Sequence, residues 1–280
     1  MAEAEEVVSD VARHATVFAR DLWRRHRERE GVTPTLLLAD VAVRIDLLVN
    51  TVFGASYPIR MAQRPAPTTL LTAVFGRRRG PLQKQAIPAT DGVSLWLPAD
   101  LGIQDPTLAL RRYRTMALQQ AMRARRRAPE VMAAPAPPLF REIALLVEAS
   151  AADRALVSLL PGVAKPINEL RKAALAARPL MSAFPKYAQP LENLLRIILK
   201  SDCREPLDPV MRSESPGESM QAAAKIVAGL LPARTAARAS RADLLLKDCW
   251  TGELHPPPEV SATAADAAAG SEVNEAARQR

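Results

Sequence analysis

The 280-residue chain is poor in aromatic residues, in glycine and in the side chains that metal sites and nucleophilic catalysis usually require. Aromatic residues make up 4% of the sequence, which contains 11 glycines, two cysteines and three histidines. Aliphatic residues and alanine supply most of the 48% hydrophobic content, and 24 prolines outnumber the glycines. This balance favours a core of many helices that proline begins and breaks over a β-rich fold.

The cysteines and histidines are too few and too scattered to predict a metal site. Cys203 and Cys249 are far apart and neither belongs to a Cys-x-x-Cys pair, while His14, His26 and His255 lie towards the two ends of the chain. We therefore expect neither zinc nor another cofactor. Isolated cysteines are typical of a reduced, cytosolic compartment.

The sequence also contains none of the common catalytic motifs. It has no His-Glu-x-x-His, no Gly-x-Ser-x-Gly and no Gly-x-x-x-x-Gly-Lys phosphate loop. We predict that the chain is not an enzyme and does not hydrolyse ATP by itself. Its first ten residues are acidic where a signal peptide is basic, and no apolar run reaches the length of a bilayer span. A soluble, cytoplasmic protein is expected.

The positive charge of the chain permits two interpretations. Lysine and arginine outnumber aspartate and glutamate by 38 to 30, a net charge of +8. The excess either coats a solvated surface or binds an anionic partner such as nucleic acid, a membrane surface or an acidic protein. The runs 77–79 and 123–127 supply arginines for phosphate contacts, but no interleaved aromatic residues or helix-turn-helix accompany them. A basic helical nucleic-acid-binding protein is therefore the alternative function.

The stretch 91–127 organises the predicted fold. The alternation of Val93, Leu95 and Leu97 predicts a strand, and Asp105 followed by Pro106 predicts the start of a long helix. Residues at three- and four-residue spacing predict its buried face: Ala109, Tyr113, Met116, Ala117, Gln120 and Ala124. Its other face and its end are expected to carry exposed arginines: Arg111, Arg112, Arg114, Arg123, Arg125, Arg126 and Arg127.

Ahead of this stretch, helices are predicted over 3–30 and from Thr33-Pro34 to about Phe53. The short connection between them predicts an antiparallel hairpin, with Gly54 ending the second helix. This second helix is expected to bury five apolar residues: Leu37, Val41, Ile45, Leu48 and Val52. Residues 56–67 have the pattern of a proline-broken connection. Segments 68–75, 83–88 and 93–97 predict two or three short strands of a small sheet.

After the central helix, further helices are predicted over 139–160, 166–177, 191–199, 215–231 and 242–248. Ser215 and Glu218 have the spacing of a capping box. Residues 256–280 contain almost no large apolar residue and are predicted to be a disordered tail or linker. The expected fold class is mainly α, a multi-helix bundle. Its predicted parts are an N-terminal helical hairpin (1–55), a helical domain with a small β element near 68–97 (56–255), and the tail (256–280).

Four stretches resemble the N-terminal region of NorD- and CbbO-type proteins: LWLP (95–98), YRTMALQQAMRARRRA (113–128), LLVEASAADRALVSLLPGV (145–163) and DCWTGEL (248–254). Proteins of this type are bacterial partners of MoxR-class AAA+ ATPases and normally carry a C-terminal von Willebrand A domain. The Asp-x-Ser-x-Ser metal loop of that domain is absent from this sequence. The resemblance therefore implies the front half of such a protein.

The function that the resemblance implies is that of a non-catalytic adaptor, or co-chaperone, for a MoxR-type AAA+ ATPase. Such pairs activate or remodel a metalloenzyme client, such as nitric oxide reductase or Rubisco. A separate chain with the von Willebrand A domain is a further implied partner.

A different interpretation of the central stretch is a zinc-peptidase-like scaffold without activity. In a glutamate-type zinc peptidase, two histidines stand at i and i+4 on one helix and a glutamate from a later helix completes the site. Here Gln119 and Arg123 hold the first two positions and Glu148 the third. Glutamine is a poor zinc ligand and arginine cannot serve as one. An ordinary polar pair on an amphipathic helix explains the same residues equally well.

Seven residues are candidate contacts with a protein partner, and a structural role is the alternative for them. Trp250 beside Gly252 either anchors the C-terminal segment or marks a partner contact. Asp153 or Arg154 could form an ion pair with the central arginine helix. The candidate contact residues are Arg123, Arg125, Arg126, Arg127, Glu148, Trp250 and Gly252.

Overall fold

The computed structural model describes residues 35–65, 81, 83, 85–230 and 245–258. Within these residues there are seven helices: α1 (Leu38–Phe53), α2 (Pro106–Arg125), α3 (Ala128–Val131), α4 (Pro138–Leu159), α5 (Ala164–Ala176), α6 (Gln189–Lys200) and α7 (Pro216–Leu230). The same part of the chain has four short strands: β1 (Ile59–Ala62), β2 (Ala89–Thr90), β3 (Leu95–Pro98) and β4 (Glu253–Leu254). The prediction of a mainly helical fold with a small sheet is confirmed.

Helix α1 is the second helix of the predicted hairpin, and the first, over 3–30, lies outside the described residues. Gly54 ends α1 as predicted, with φ +65° and its N–H 2.8 Å from the carbonyl oxygen of Asn50. The helix begins at Leu38, where the Asp40 carboxylate accepts a hydrogen bond of 2.9 Å from the N–H of Leu37. The predicted cap at 33–34 also lies outside the described residues.

The buried face of α1 differs in part from the predicted one. Val41 and Ile45 are buried as expected, together with Leu38 and Val49. Leu37 is 43% exposed, because it precedes the helix and forms a β-bridge with Asp100. Leu48 and Val52, which were predicted to be buried, are only half-buried.

The sheet has the strand order β1-β3-β2-β4. Strand β3 pairs in parallel with β1 and antiparallel with β2, while β2 pairs in parallel with β4. Strand β3 was predicted, but 59–62 was wrongly assigned to a proline-broken connection, and residues 83 and 85–88 are not a strand. The predicted strand 68–75 lies outside the described residues. Both edge strands depend on pairing with distant sequence, which a local pattern does not contain.

Helix α2 is the centre of the fold, and its start is as predicted. Asp105 caps it, with its Oδ1 accepting a hydrogen bond of 2.8 Å from the N–H of Thr107. All six residues of the predicted face are buried. However, every residue from Thr115 to Ala124 is buried, because α2 packs against α1, α4, α5 and the sheet. The prediction that Arg123 lies outside is therefore wrong.

The helices of the C-terminal half agree with their predicted positions to within a few residues. At the start of α7, the N–H of Glu218 donates to Ser215 Oγ at 3.3 Å, while the Glu218 carboxylate accepts from the N–H of Glu214 at 2.8 Å. Residues 245–248 are not helical, so the predicted short helix does not reach Asp248. Residues 259–280 of the predicted tail are outside the described part. None of the described helices is long and apolar enough to span a membrane.

Candidate functional site

The carboxylate of Asp153, on α4, is the centre of a buried polar network. Its Oδ2 accepts hydrogen bonds from the Arg171 guanidinium at 2.7 and 3.0 Å and from the Trp250 indole N–H at 2.7 Å. Its Oδ1 accepts from Gln119 Nε2 at 2.6 Å. Asp153 is 0% exposed, and a buried carboxylate is tolerated when donors surround it in this way. One side chain thus joins α2, α4, α5 and the C-terminal segment.

Arg123, on α2, holds the C-terminal segment through its backbone. Its Nη1 donates to the carbonyl oxygen of Thr251 at 2.7 Å, and its Nη2 donates to that of Trp250 at 3.0 Å. Burial lowers the pKa of the Arg123 guanidinium, and the nearby carboxylates of Asp153 and Glu148 oppose this shift. With 1% of its surface exposed, Arg123 has a structural role rather than the surface position predicted for it.

A second buried ion pair joins α2 to α4 and α7. Arg126 and Glu148 form a bidentate pair at 2.6 and 3.1 Å, and the hydroxyl of Ser219 donates to Glu148 Oε2 at 2.7 Å. Glu148 is thus the residue of α4 that pairs with the arginine helix. The pairing was predicted for Asp153 or Arg154. Asp153 forms its ion pair with Arg171 of α5, and Arg154 donates to Ser150 Oγ and to the carbonyl oxygen of Met211.

The segment Asp248–Leu254 folds as a tight turn that leads into β4. One oxygen of Asp248 accepts hydrogen bonds from the N–H groups of Trp250 at 2.9 Å and Thr251 at 2.8 Å. Its other oxygen pairs with Arg178 at 2.7 Å. Trp250 is 0% exposed, and the Arg171 guanidinium lies 4.8 Å from its ring centroid. Of the two roles considered for Trp250, the structure shows the anchoring one.

Gly252 is required by the geometry of this turn. Its φ is +60°, a conformation that glycine adopts at low cost. A Cβ at this position would lie 2.6 Å from Gln120 Nε2, 2.7 Å from Arg123 Nη1 and 3.0 Å from the carbonyl oxygen of Pro88. The turn therefore sits directly on α2, and any larger residue would require the Gln120 and Arg123 side chains or the turn itself to move.

The three residues considered for a zinc-peptidase-like scaffold are buried, and their polar groups are bound to other parts of the protein. Gln119 and Arg123 do face α4, on which Glu148 lies, and all three are at most 1% exposed. Their polar groups bind Asp153, backbone carbonyls and Arg126 instead of a metal. In the described part of the chain, no group of three or more His, Cys, Asp or Glu side chains could hold a metal ion.

Cys203 is buried and Cys249 is half-buried. Burial raises the pKa of Cys203 to about 12 and that of Cys249 to about 11. Both are therefore protonated thiols near neutral pH, and a protonated thiol is a poor nucleophile.

Two of the seven candidate contact residues remain on the surface. The Arg125 guanidinium lies 6.0 Å from the ring centroid of Phe53, and Arg127 pairs with Glu130. The other five take part in, or lie against, the buried network. Prediction from the sequence missed Arg171, although its place beside Ile167 and Leu170 and its spacing to Ala174 put it on the buried face of α5. That spacing is the signal that could have identified it.

No protein-family model matches this chain, and no curated protein or solved structure is significantly similar to it. The resemblance to NorD- and CbbO-type proteins therefore stays a hypothesis that depends on four stretches of sequence. In the fold these stretches lie on β3, α2, α4 and the turn before β4. The last three meet at Asp153 and Trp250.

Proposed function

We propose that this chain is a non-catalytic adaptor that works with a MoxR-type AAA+ ATPase to activate or remodel a metalloenzyme client. The observation that carries the proposal is the convergence of the resembling stretches 113–128, 145–163 and 248–254 on one buried network around Asp153. Stretches that are far apart in sequence but interlock in space form one structural unit.

The chemistry of the network suits a scaffold. Asp153, Glu148 and Arg171 are 0% exposed and their charged groups bind one another or nearby side chains, so they are closed to a substrate. A buried polar network whose charged groups are paired rigidifies a core and favours one arrangement of it. In this network the charged groups are paired, while Gln119 Oε1, Arg123 Nε and the Gln120 amide have no hydrogen-bond partner among the described residues. An adaptor needs such a rigid body, because it presents surfaces to two partners at a fixed separation.

The partners in this proposal are the ATPase, its metalloenzyme client and a separate chain with a von Willebrand A domain, all in the cytoplasm. The test is direct mixing of the full chain with a purified MoxR-type ATPase. We expect a stoichiometric complex in analytical ultracentrifugation with ATP present, and a change in the ATPase rate. Absence of any complex at tens of micromolar of each protein would contradict the proposal.

Some arginines of the run 123–127 are buried and others are exposed, which favours the adaptor over the nucleic-acid alternative. Arg123 is buried and the side chain of Arg126 is 9% exposed in its pair with Glu148. The run therefore does not present a continuous row of cations to a phosphate backbone. We expect duplex DNA to bind weakly at physiological salt.

A further inference from the structure

On the outer face of the small sheet, the Trp96 ring lies between an arginine and a histidine. Arg60 of β1 is the direct partner of Trp96 of β3, and residues paired in this way point to the same face. The Arg60 guanidinium lies 5.5 Å from the Trp96 ring centroid. On the other side, the His255 ring meets the half-buried Trp96 edge-on, with 4.7 Å between ring centroids. Trp96 is thus held between two basic side chains.

A pocket of about 640 Å³ opens beside the Trp96 ring. Trp96, Ile87 and Leu245 give it an apolar floor, and the side chains of Arg64 and Gln85 lie on its exposed rim. A volume in this range, with an apolar floor and a few polar groups, is typical of a binding site.

The charges around the pocket favour an acidic occupant. Arg60 and Arg64 have no carboxylate partner among the described residues. The acid in the pocket wall, Glu253, is already bound to Lys247. His255, whose Nε2 lies 3.9 Å from Glu253, and Lys247 lower the pKa of Glu253 to about 2 while burial opposes the shift. The wall carboxylate thus remains ionised and neutralised, which leaves the two arginines without a counter-charge.

The sequence between Asp46 and Asp91 has the same excess of basic over acidic residues. Between Asp46 and Asp91 it contains no aspartate or glutamate, and it contains six basic residues: Arg60, Arg64, Arg77, Arg78, Arg79 and Lys84. No acid from this part of the chain can therefore neutralise the rim of the pocket. Charge complementarity of this kind directs encounter with a partner of opposite sign.

We infer that the Trp96 pocket is a docking site for an acidic linear segment of a protein partner, with carboxylates on Arg60 and Arg64 and one apolar side chain on Trp96. An extended peptide fits this geometry, because an apolar side chain can enter the pocket while one flanking carboxylate reaches Arg64 on its rim. A second carboxylate can reach Arg60, which lies over the Trp96 ring beside the pocket. This inference rests on the proposed adaptor function and names the surface through which it would act.

The test uses the full chain and a fluorescein-labelled peptide, Gly-Glu-Glu-Phe-Glu-Glu-Gly, in a fluorescence anisotropy titration. We expect binding that weakens with salt and that falls at least about tenfold in Arg60→Glu/Arg64→Glu. The matched control, Arg114→Glu/Lys172→Glu, makes the same change in net charge at exposed positions of α2 and α5 and should lose less than about twofold. A peptide with glutamine in place of each glutamate should bind at least about tenfold more weakly.

Several results would overturn the inference. They are no binding of the acidic peptide, equal weakening in the control variant, or equal affinity for the glutamine peptide. Binding of duplex DNA but not of the peptide, with loss in Arg60→Glu/Arg64→Glu, would assign the face to nucleic acid.

A pull-down of the ATPase separates this inference from the proposed function. If the ATPase binds but the acidic peptide does not, the adaptor function stands and the docking site is wrong. If the ATPase does not bind but the peptide does, the docking site stands and the adaptor function is wrong.

Discussion

Two clusters of the same residue types, one inside the molecule and one on its surface, show how burial changes the role of a tryptophan and an arginine. Inside, Arg171 lies 4.8 Å from the Trp250 ring, and both donate to the carboxylate of Asp153. On the sheet, Arg60 lies 5.5 Å from the Trp96 ring and has no carboxylate partner in the described chain. The rings and cations are arranged alike, but only the inner arginine is paired.

The difference follows from the cost of removing charge from water. A buried arginine without an ion pair would lose its hydration without any compensating interaction. Arg171 is stabilised by its ion pair with Asp153. An exposed arginine keeps its hydration, so Arg60 is stable without a carboxylate partner in the chain. The inner cluster therefore fixes the fold, while the outer one is available for recognition.

The largest expected effect is that of Asp153→Asn. The substitution removes the charge that pairs with the buried Arg171, and leaving one partner of a buried pair costs about 3–5 kcal/mol. The control is Glu253→Gln in the wall of the neighbouring Trp96 pocket, where the carboxylate is partly exposed and we expect about 1 kcal/mol or less. Urea unfolding at neutral pH, followed by circular dichroism, measures both. Similar unfolding midpoints for the two variants would contradict the distinction between buried and surface charges.

The neighbouring residues Arg126 and Arg125 also allow a paired, buried arginine to be compared with an exposed one. Arg126→Ala leaves the buried Glu148 without its cation, and we expect a loss of about 3 kcal/mol. Arg125 is exposed, so Arg125→Ala should change the free energy of unfolding by about 0.5 kcal/mol or less. If the two variants unfold alike, the Arg126–Glu148 pair does not stabilise the protein.

The start and the buried face of α2 could be predicted from the sequence because local patterns determine them. Asp105 followed by Pro106 is a capping signal, and the spacing of Tyr113 and Ala117 is a property of the helix itself. The position of Arg123 could not be predicted in the same way. Periodicity assigns a helix one apolar face, but α2 is covered on all sides over this turn.

The pairing of the sheet and the contacts of the buried network could not be predicted either, because both join residues that are far apart in sequence. Strand β4 pairs with β2 across most of the chain, with Glu253 opposite Ala89. Trp250 reaches Asp153 over a separation of 97 residues. A local sequence pattern does not contain contacts between such distant residues. The sequence therefore left two roles open for the 248–254 segment, anchoring and partner contact.

A smaller effect is expected from Gly252→Ala, which tests how closely the turn sits on α2. The variant combines the cost of a positive φ with overlap between Cβ and the Gln120 amide, and we expect a loss of about 2–3 kcal/mol. Gly102→Ala, at φ +64° with open space around it, isolates the backbone part at about 1 kcal/mol. Thermal unfolding compares the two. Equal losses would mean that the turn can move away from α2.

The smallest expected effect concerns pH and the wall of the Trp96 pocket. The pKa of Glu253 is lowered from 4.5 to about 2 in the folded protein, so its ionised form stabilises the fold at pH values above 4.5. This contribution is lost as the pH falls from about 4.5 through 2, and Glu253→Gln removes it at every pH. The difference in unfolding free energy between wild type and variant should therefore shrink as the pH falls from about 4.5 towards 2. A difference that stays constant down to pH 2 would show that His255 and Lys247 do not hold the Glu253 carboxylate, and the rim of the Trp96 pocket would then carry a free acid.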